Sequence, residues 1–190
     1  MSKAVLISIR PKWVEKIASG EKTIEVRKTK PKLDTPFKCY IYCTLPKYPH
    51  EDFIATDYPM PQFYGGGKVI GEFTCDRIYK IDKDSTDFLF KFGRLSVYKQ
   101  AAEEKCGLCV AMTDDELHGY LGHCQGYGWH ISDLRIYDTP KELSEFKTLC
   151  RVDADCCACP YYNYTKMGCD GRGIGRPPQS WCYVDDVQAK

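Results

Sequence analysis

The stretch "GEKTIEVRK" (20–28) concentrates five charged side chains around two β-branched apolar residues, Ile24 and Val26. Successive side chains of a β-strand point to opposite faces. Ile24 and Val26 would therefore face the core, and Glu25 and Arg27 would share the other face. The charged residues then belong either to a solvated edge strand or to the wall of a pocket.

Each of these two interpretations has a physical basis. Glu25 and Arg27 can hold one another by charge-assisted hydrogen bonds. Lys22 has the wrong parity for their face, but it stands at a helix–strand junction, where the alternation need not hold yet. In a pocket, Lys22 and Arg27 would suit phosphate or a polar base edge, and Glu25 would orient them. On the residues alone the favoured interpretation is an exposed ion pair, worth about 0–1 kcal/mol.

The remaining pattern predicts a mixed α+β fold that is mainly β, because short strands outnumber helices and regular βαβ alternation is missing. Pro11 favours a helix start and Gly20 a helix end, and Thr113 with Glu116 forms a capping box for a second helix. Strands are predicted at 4–9, 22–28, 36–44, 67–81, 126–138 and 180–186, and a further helix near 96–107. Residues 45–66, rich in proline and aromatic residues, predict a long loop that could wall a base-binding site.

The charge of the chain is unevenly distributed. Residues 1–50 hold eleven Lys or Arg against four Asp or Glu, a net of +7, so the remaining residues carry −6 of the total of +1. This asymmetry favours a basic face that meets an anionic partner, or else scattered surface lysines. No apolar run approaches the roughly 18 residues that span a bilayer, and the N-terminal apolar stretch is too short for a signal peptide. We therefore expect a cytoplasmic protein without a membrane partner.

Twelve cysteines are unusual for a chain without a secretion signal, and they favour reduced thiols or metal ligation. Cys39, Cys43 and Cys75 lie within strand patterns and are expected to be buried. The C-terminal spacing predicts a structural zinc site with four thiolate ligands, and its surroundings have little apolar material for a core. The predicted ligands are Cys156, Cys159, Cys169 and Cys182, with Cys150 or Cys157 as alternatives.

The motif "GEKTIEVR", placed after a strand and a short helix, resembles the Gly-x-Lys-x-x-Glu-x-Arg signature of ASCH domains, which have a PUA-like β-barrel fold. The later "GKVIGEF" (67–73) is similar to the barrel strand that follows in these proteins. The resemblance implies a small β-barrel with a few surrounding helices over residues 1–140. The Cys-rich residues 141–190 are expected to form an extension whose last predicted strand packs back on the barrel. The ending "RPPQSWCYV" (176–184) looks like that of ASCH proteins in phage and prophage regions.

The resemblance also implies a cleft lined by Lys22, Glu25 and Arg27 that binds RNA or a modified nucleotide. Glu72 and Lys68 are further candidates for its polar wall, with Lys68 adding positive charge. The function expected first is therefore binding of RNA or a nucleotide, in an oligomeric state that the sequence leaves open.

Two alternatives stay open. Some ASCH relatives are amidohydrolases of N4-acetylcytidine that use a lysine, a threonine and a glutamate, and another is a ribonuclease. Lys22 matches the lysine, Glu25 stands where those enzymes have threonine, and Glu116 is a candidate for the glutamate. As an enzyme, the protein would use Lys22 and Glu25, although a nearby glutamate should raise the pKa of Lys22 and keep it a charged binding group. The second alternative is a phage-derived protein–protein adaptor, in which the motif is only structural.

Overall fold

The computed structural model describes residues 3–45, 66–81, 108–122, 124–148, 161–163, 165, 168–169 and 171–186. The strands in chain order are β1 Lys3–Ile9, β2 Ile24–Arg27, β3 Phe37–Cys43, β4 Lys68–Cys75, β5 Ile78–Ile81, β6 Gly126–His130, β7 Ser132–Lys141, β8 Lys147–Thr148, β9 Tyr162–Asn163, β10 Gly168–Cys169, β11 Arg172–Gly173 and β12 Trp181–Asp185. The helices within these ranges are α1 Pro11–Ala18, α2 Asp114–Leu121 and a 3-10 turn, Leu143–Glu145. The prediction of a mixed α+β fold that is mainly β is confirmed.

The described part of the chain contains two larger sheets and one two-stranded sheet, in which β10 pairs antiparallel with β9. A seven-stranded sheet has the order β11-β8-β12-β1-β3-β4-β7, and a three-stranded sheet has the order β2-β6-β5. β1 and β3 run parallel, whereas β1 pairs antiparallel with β12. Only Ile131 separates β6 from β7, so the chain passes from one sheet to the other at that residue. The last described strand is thus part of the main sheet, while the division into domains 1–140 and 141–190 stays a prediction.

Helix α1 forms where the sequence predicts it. Pro11 occupies the first turn, where its missing N–H costs nothing. Val14 and Ile17 are buried on one face of the helix. Gly20 follows with a φ of 77°, a left-handed conformation that glycine adopts without steric cost and that ends the helix. This stop sets the direction in which the chain enters β2.

An inner core fills the space between the two sheets and α1. It joins apolar side chains of β1, β3 and β4 to Val14, Ile17 and the fully buried Trp129 of β6. The expectation that Cys39, Cys43 and Cys75 are buried is confirmed, since each is at most 1% exposed. Burial is the largest cause that raises the pKa of the Cys75 thiol, to about 12.

Two further apolar clusters cover the outer sides of the sheets. The outer core lies on the second face of the seven-stranded sheet and includes Tyr40, Phe146, Ile174 and Val184. A third cluster packs Ile24, Val26 and Ile81 of the three-stranded sheet against Leu117 and Leu121 of α2. The predicted inward direction of Ile24 and Val26 is therefore confirmed.

Two predicted strands are broken in the structure. The segment 67–81 divides into β4 and β5 at Asp76–Arg77, and 126–138 divides into β6 and β7. The pairing of β4 with β7 also has a register shift between Val69 and Gly71. A Cβ atom at Gly71 would lie 2.5 Å from the carbonyl oxygen of Arg135, so only glycine lets β7 approach this closely.

The long loop predicted at 45–66 and the helix predicted at 96–107 lie almost entirely outside the described residues. Among the helices that the structure does describe, none has the length and apolar character needed to cross a membrane.

Candidate binding cleft

A cleft of about 880 Å³ opens between α1, α2, β2 and the end of β1. Residues 179–180, just before β12, complete its wall. The wall carries four basic side chains and two carboxylates, so its formal charge is positive: Arg10, Lys12, Lys22 and Arg27 against Glu25 and Glu116. Two aromatic side chains, Trp13 and Tyr120, also line it.

At the base of the cleft lie Lys22, Glu25 and Arg27, here called the charged triad. Their exposed fractions are only 2%, 5% and 7%. The Glu25 carboxylate lies between the two cations, with Oε1 2.9 Å from Arg27 Nη2 and Oε2 3.5 Å from Lys22 Nζ. The favoured interpretation of an exposed ion pair is therefore wrong. Local alternation brings Glu25 and Arg27 together, but on the face of β2 that carries the cross-strand partner Trp129 of the inner core, so they are buried.

Backbone carbonyl groups hold both cations of the triad. Lys22 Nζ donates to the carbonyl oxygen of Val110, and Arg27 Nη2 donates to that of Ser8, each at 2.6 Å. The Nε of Arg27 is also buried, and it has no acceptor among the described residues. Leaving a buried donor unsatisfied costs about 1–3 kcal/mol, which a ligand acceptor would recover.

The protonation of Lys22 depends on two opposing effects. Burial lowers its pKa and is the largest contribution, whereas the charge and the hydrogen-bonding contact of Glu25 raise it. The net pKa lies below the ordinary value of 10.5, because removing an ammonium from water outweighs a single neighbouring carboxylate here. Glu25 does raise the pKa of Lys22, as expected, but burial outweighs this contribution.

The ring of Trp13 lies close to Lys22 of the charged triad and to Lys12, another lysine of the cleft wall. Its ring centroid lies 5.2 Å from Lys22 Nζ and 4.7 Å from Lys12 Nζ. The sequence predicts Trp13 as a core anchor of α1, and it does pack against the inner core while it also lines the cleft. The sequence feature that indicates this second role is the position of Trp13 between lysines on a short helix.

Glu116 lies in the same cleft, on α2. Its carboxylate forms an ion pair with Lys12 and accepts a hydrogen bond from the backbone N–H of Thr113, as the predicted capping box requires. The hydrogen bond from Lys12 is the largest cause that lowers the pKa of Glu116. The structure thus brings Lys22, Glu25, Arg27 and Glu116 to one cavity.

Two other predicted site residues lie elsewhere. Glu72 is paired across the sheet with Tyr40, on the face that carries the outer core, and it accepts a hydrogen bond from Tyr137 at 2.6 Å. Lys68 forms an ion pair with Glu142. Neither Glu72 nor Lys68 is among the residues that line the cleft, so their predicted place beside Lys22 does not agree with the structure.

The predicted zinc ligands are only partly described. Cys156 and Cys159 lie outside the described residues, and Cys169 belongs to β10. Cys182 is half-buried on β12 against the outer core, and burial raises the pKa of its thiol. The described residues contain no group of three or more His, Cys, Asp or Glu placed to hold a metal ion. The zinc site stays a prediction.

Comparison with known proteins gives a likeness of fold. No protein-family profile and no curated protein sequence matches the chain. Among solved structures, ASCH from Zymomonas mobilis is 17% identical, with a TM-score of 0.52 over 96% of this chain and 88% of that one. Two mutants of the Zymomonas mobilis protein have TM-scores of 0.53, at 17% and 18% identity, and cover 97% and 96% of this chain and 92% and 89% of theirs. The chain therefore has the fold of ASCH proteins, which is PUA-like.

Proposed function

We propose that the cleft binds a nucleotide, either free or as part of an RNA. The observation that carries this proposal is the charged triad, in which two buried cations share one carboxylate and one buried donor, Arg27 Nε, lacks an acceptor. The surrounding volume of about 880 Å³ lies within the range of small-molecule sites.

The triad has the chemistry for a phosphate or the polar edge of a base. Arg27 offers the planar guanidinium that recognises such groups, and Glu25 fixes its orientation through the 2.9 Å contact. Lys22 adds a donor in a site of low polarity, where an interaction with an anion is stronger than in water. We assign Lys22 and Arg27 to ligand binding and Glu25 to their positioning.

Trp13 and Tyr120 provide a place for the base. Both rings line the cleft that holds the triad. Aromatic side chains that stack on a base contribute about 1–3 kcal/mol per base and tolerate any base identity. A nucleotide can therefore place its phosphate against the cations of the triad while its base stacks on Trp13 or Tyr120.

We also propose that the chain is a member of the ASCH family. The Gly-x-Lys-x-x-Glu-x-Arg motif and the fold together support an assignment to the ASCH family. The narrower assignment to the phage and prophage kind rests on the ending at 176–184 alone, and the zinc-stapled extension rests on the cysteine spacing.

The test is a titration of the protein with the four nucleoside 5′-monophosphates and short RNAs at two salt concentrations. Lys22→Met and Arg27→Met keep side-chain volume while removing the charge, and Lys3→Met, an exposed residue of β1, is the control. We expect each cleft variant to weaken binding at least about tenfold, and wild-type affinity to fall with salt. Binding that neither variant changes, or no binding at all, would contradict the proposal and leave the adaptor interpretation.

One observation favours a second candidate, a hydrolase of a modified nucleoside or of RNA. Because burial lowers the pKa of Lys22, a neutral amine is easier to form there than in water, and Glu116 shares the cleft. Incubation with N4-acetylcytidine, followed by chromatography for cytidine, tests the amidohydrolase. Turnover that Lys22→Met abolishes and Lys3→Met retains would support it, whereas binding without product would leave binding as the function.

A further inference from the structure

We propose that the nucleotide bound in the cleft belongs to a single-stranded RNA, whose neighbouring nucleotides run over an adjoining basic and aromatic surface. This inference rests on the proposed function of the cleft and adds the class of its ligand. The surface, here called the basic rim, consists of Lys28, Lys30, Lys32, Tyr120, Tyr127, Trp181 and Tyr183.

The basic rim begins where the charged triad ends. Arg27, at the base of the cleft, is followed at once by the exposed Lys28. The Nζ of Lys28 lies 5.6 Å from the ring centroid of Tyr120, which itself lines the cleft. A strand that leaves the cleft beside Tyr120 therefore meets Lys28 first.

The 28–32 segment is fastened to β12, which makes the rim one surface. Trp181 Nε1 donates to Thr29 Oγ1 at 3.0 Å. The backbone N–H of Lys32 donates to the hydroxyl oxygen of Tyr183 at 2.7 Å. The Trp181 and Tyr183 rings contact each other edge to face, with centroids 5.4 Å apart. The lysines are thus presented from a fixed backbone beside partly exposed aromatic rings.

The charge of the rim is available to a partner. Lys28, Lys30 and Lys32 are all exposed, and none of them forms an ion pair with a residue that the structure describes. Lys30 lies over the ring of Tyr127, with Nζ 5.9 Å from the centroid. Two of the three lysines thus lie near aromatic rings and the third follows in a segment bonded to Tyr183, a combination also found on surfaces that hold phosphates and stack bases.

Single-stranded RNA fits this surface better than other polyanions. Duplex RNA keeps its bases paired and stacked inside the helix, where the aromatic rings of the rim cannot reach their faces. An acidic peptide would use the lysines and leave the aromatic rings without a role. Only a single strand uses the cleft, the lysines and the rings together.

The experiment compares the monophosphates of adenosine, cytidine and uridine with the corresponding RNA octamers, titrated into the full chain. The rim variant is Lys28→Ala/Lys30→Ala/Lys32→Ala. Its matched control is Lys3→Ala/Arg135→Ala/Arg172→Ala, three exposed basic residues in the seven-stranded sheet outside the cleft. An RNA duplex of eight base pairs and poly-glutamate serve as competing polyanions.

We expect an octamer to bind at least about tenfold more tightly than its monophosphate, and the rim variant to lose that gain while it keeps monophosphate affinity. Three lost phosphate contacts on a single strand should reduce the slope of log affinity against log salt by about 2. The control variant should behave as wild type, and duplex and poly-glutamate should compete weakly.

Other outcomes separate the two proposals. If monophosphates bind but octamers bind no better, or the rim variant changes nothing, the rim inference is overturned and the cleft keeps its function. If poly-glutamate or duplex binds as tightly as the octamer, the rim is a general anion surface and the inference is also overturned. Octamer binding that depends on the rim but not on Arg27 would overturn the function proposed for the cleft. Absence of all binding overturns both.

Discussion

Two polar clusters lie on different sides of this fold, one partly buried and one buried, and they differ in how fully their donors are paired. On the face that carries the outer core, Tyr137 donates to Glu72 at 2.6 Å and Tyr40 donates to Asp186 Oδ1 at 2.7 Å. Lys38 Nζ lies 3.8 Å from both of these carboxylates. In the cleft, two cations share one carboxylate and the Nε of Arg27 has no acceptor in the described part of the chain.

This difference supports the proposal that the charged triad is a binding site, whereas the outer cluster is structural. Burial, followed by the hydrogen bond to Glu72, raises the pKa of Tyr137, so its hydroxyl keeps the proton that it donates. In the outer cluster each of the two tyrosine hydroxyl groups therefore has a carboxylate acceptor. The charged triad carries one more cation than anion in the wall of the cleft, which supports the proposed binding of an anionic partner.

The largest expected difference is in stability. Glu25→Gln leaves Lys22 and Arg27 buried without an anion, and breaking a buried pair in this way costs about 3–5 kcal/mol. Glu72→Gln keeps an acceptor for Tyr137, and Lys38 remains partly in solvent, so its cost is about 1 kcal/mol. Urea denaturation of both variants measures the two changes. Equal losses would mean that the clusters do not differ as argued.

The second difference concerns the aromatic wall. Trp13→Leu removes a ring from the cleft while it keeps an apolar side chain in α1. We expect nucleotide affinity to fall by about 1–3 kcal/mol, the contribution of one stacked base. Calorimetric titration measures it, with Tyr161→Leu, a largely exposed aromatic residue outside the cleft, as the control. Unchanged nucleotide affinity in Trp13→Leu would show that Trp13 does not contact the bound nucleotide.

A smaller effect follows from the pKa of Lys22. Burial holds this pKa below 10.5 in the folded protein, so between the lowered value and 10.5 the unfolded chain binds the extra proton. The free energy of unfolding therefore rises with pH across that window, by at most about 1.4 kcal/mol per pH unit. The contribution is constant below the lowered pKa, and Lys22→Met removes the rise.

Urea unfolding of wild type and Lys22→Met from about pH 7 to about pH 10 measures this rise as the difference between the two curves. The control is Lys38→Met in the outer cluster, where the lysine is partly exposed. Parallel curves for wild type and Lys22→Met would show that burial does not govern the protonation of Lys22.

The smallest expected effect is that of Lys68→Ala. Lys68 was predicted from the sequence to add positive charge to the site, but its partner is Glu142 and it does not line the cleft. An exposed pair of this kind is worth about 0–1 kcal/mol of stability. Nucleotide affinity should change less than about twofold when salt is held constant. A tenfold loss of nucleotide affinity would show that Lys68 does take part in binding.

The sequence predicted features that depend on neighbouring residues. Pro11 and Gly20 bound α1, Thr113 and Glu116 form the capping box, and alternation directs Ile24 and Val26 to the core. Each of these features follows from the backbone geometry of one helix or one strand and from residues that are close together in the sequence. The family motif added the expectation that the charged residues meet in a cleft.

Features set by distant contacts were not predictable in the same way. The burial of the triad requires Val110 and Ser8 to approach β2, and Glu116 reaches the cleft through Lys12, 104 residues away. The passage from β6 to β7 shows in the sequence only as a shift in the phase of alternation between Ile131 and Leu134, and a phase shift does not by itself indicate a change of sheet. Glu72 resembled a wall residue until its cross-strand partner, Tyr40, placed it on the outer face.

The most direct test is a crystal structure of the protein with a bound nucleoside 5′-monophosphate. We expect electron density for the nucleotide in the cleft, with one of its acceptor atoms within about 3.2 Å of Arg27 Nε. Lys22 Nζ should contact the same ligand, and the base should lie against Trp13 or Tyr120. A nucleotide bound elsewhere, with the cleft unfilled and Arg27 Nε still without an acceptor, would contradict the claim that the charged triad is a binding site.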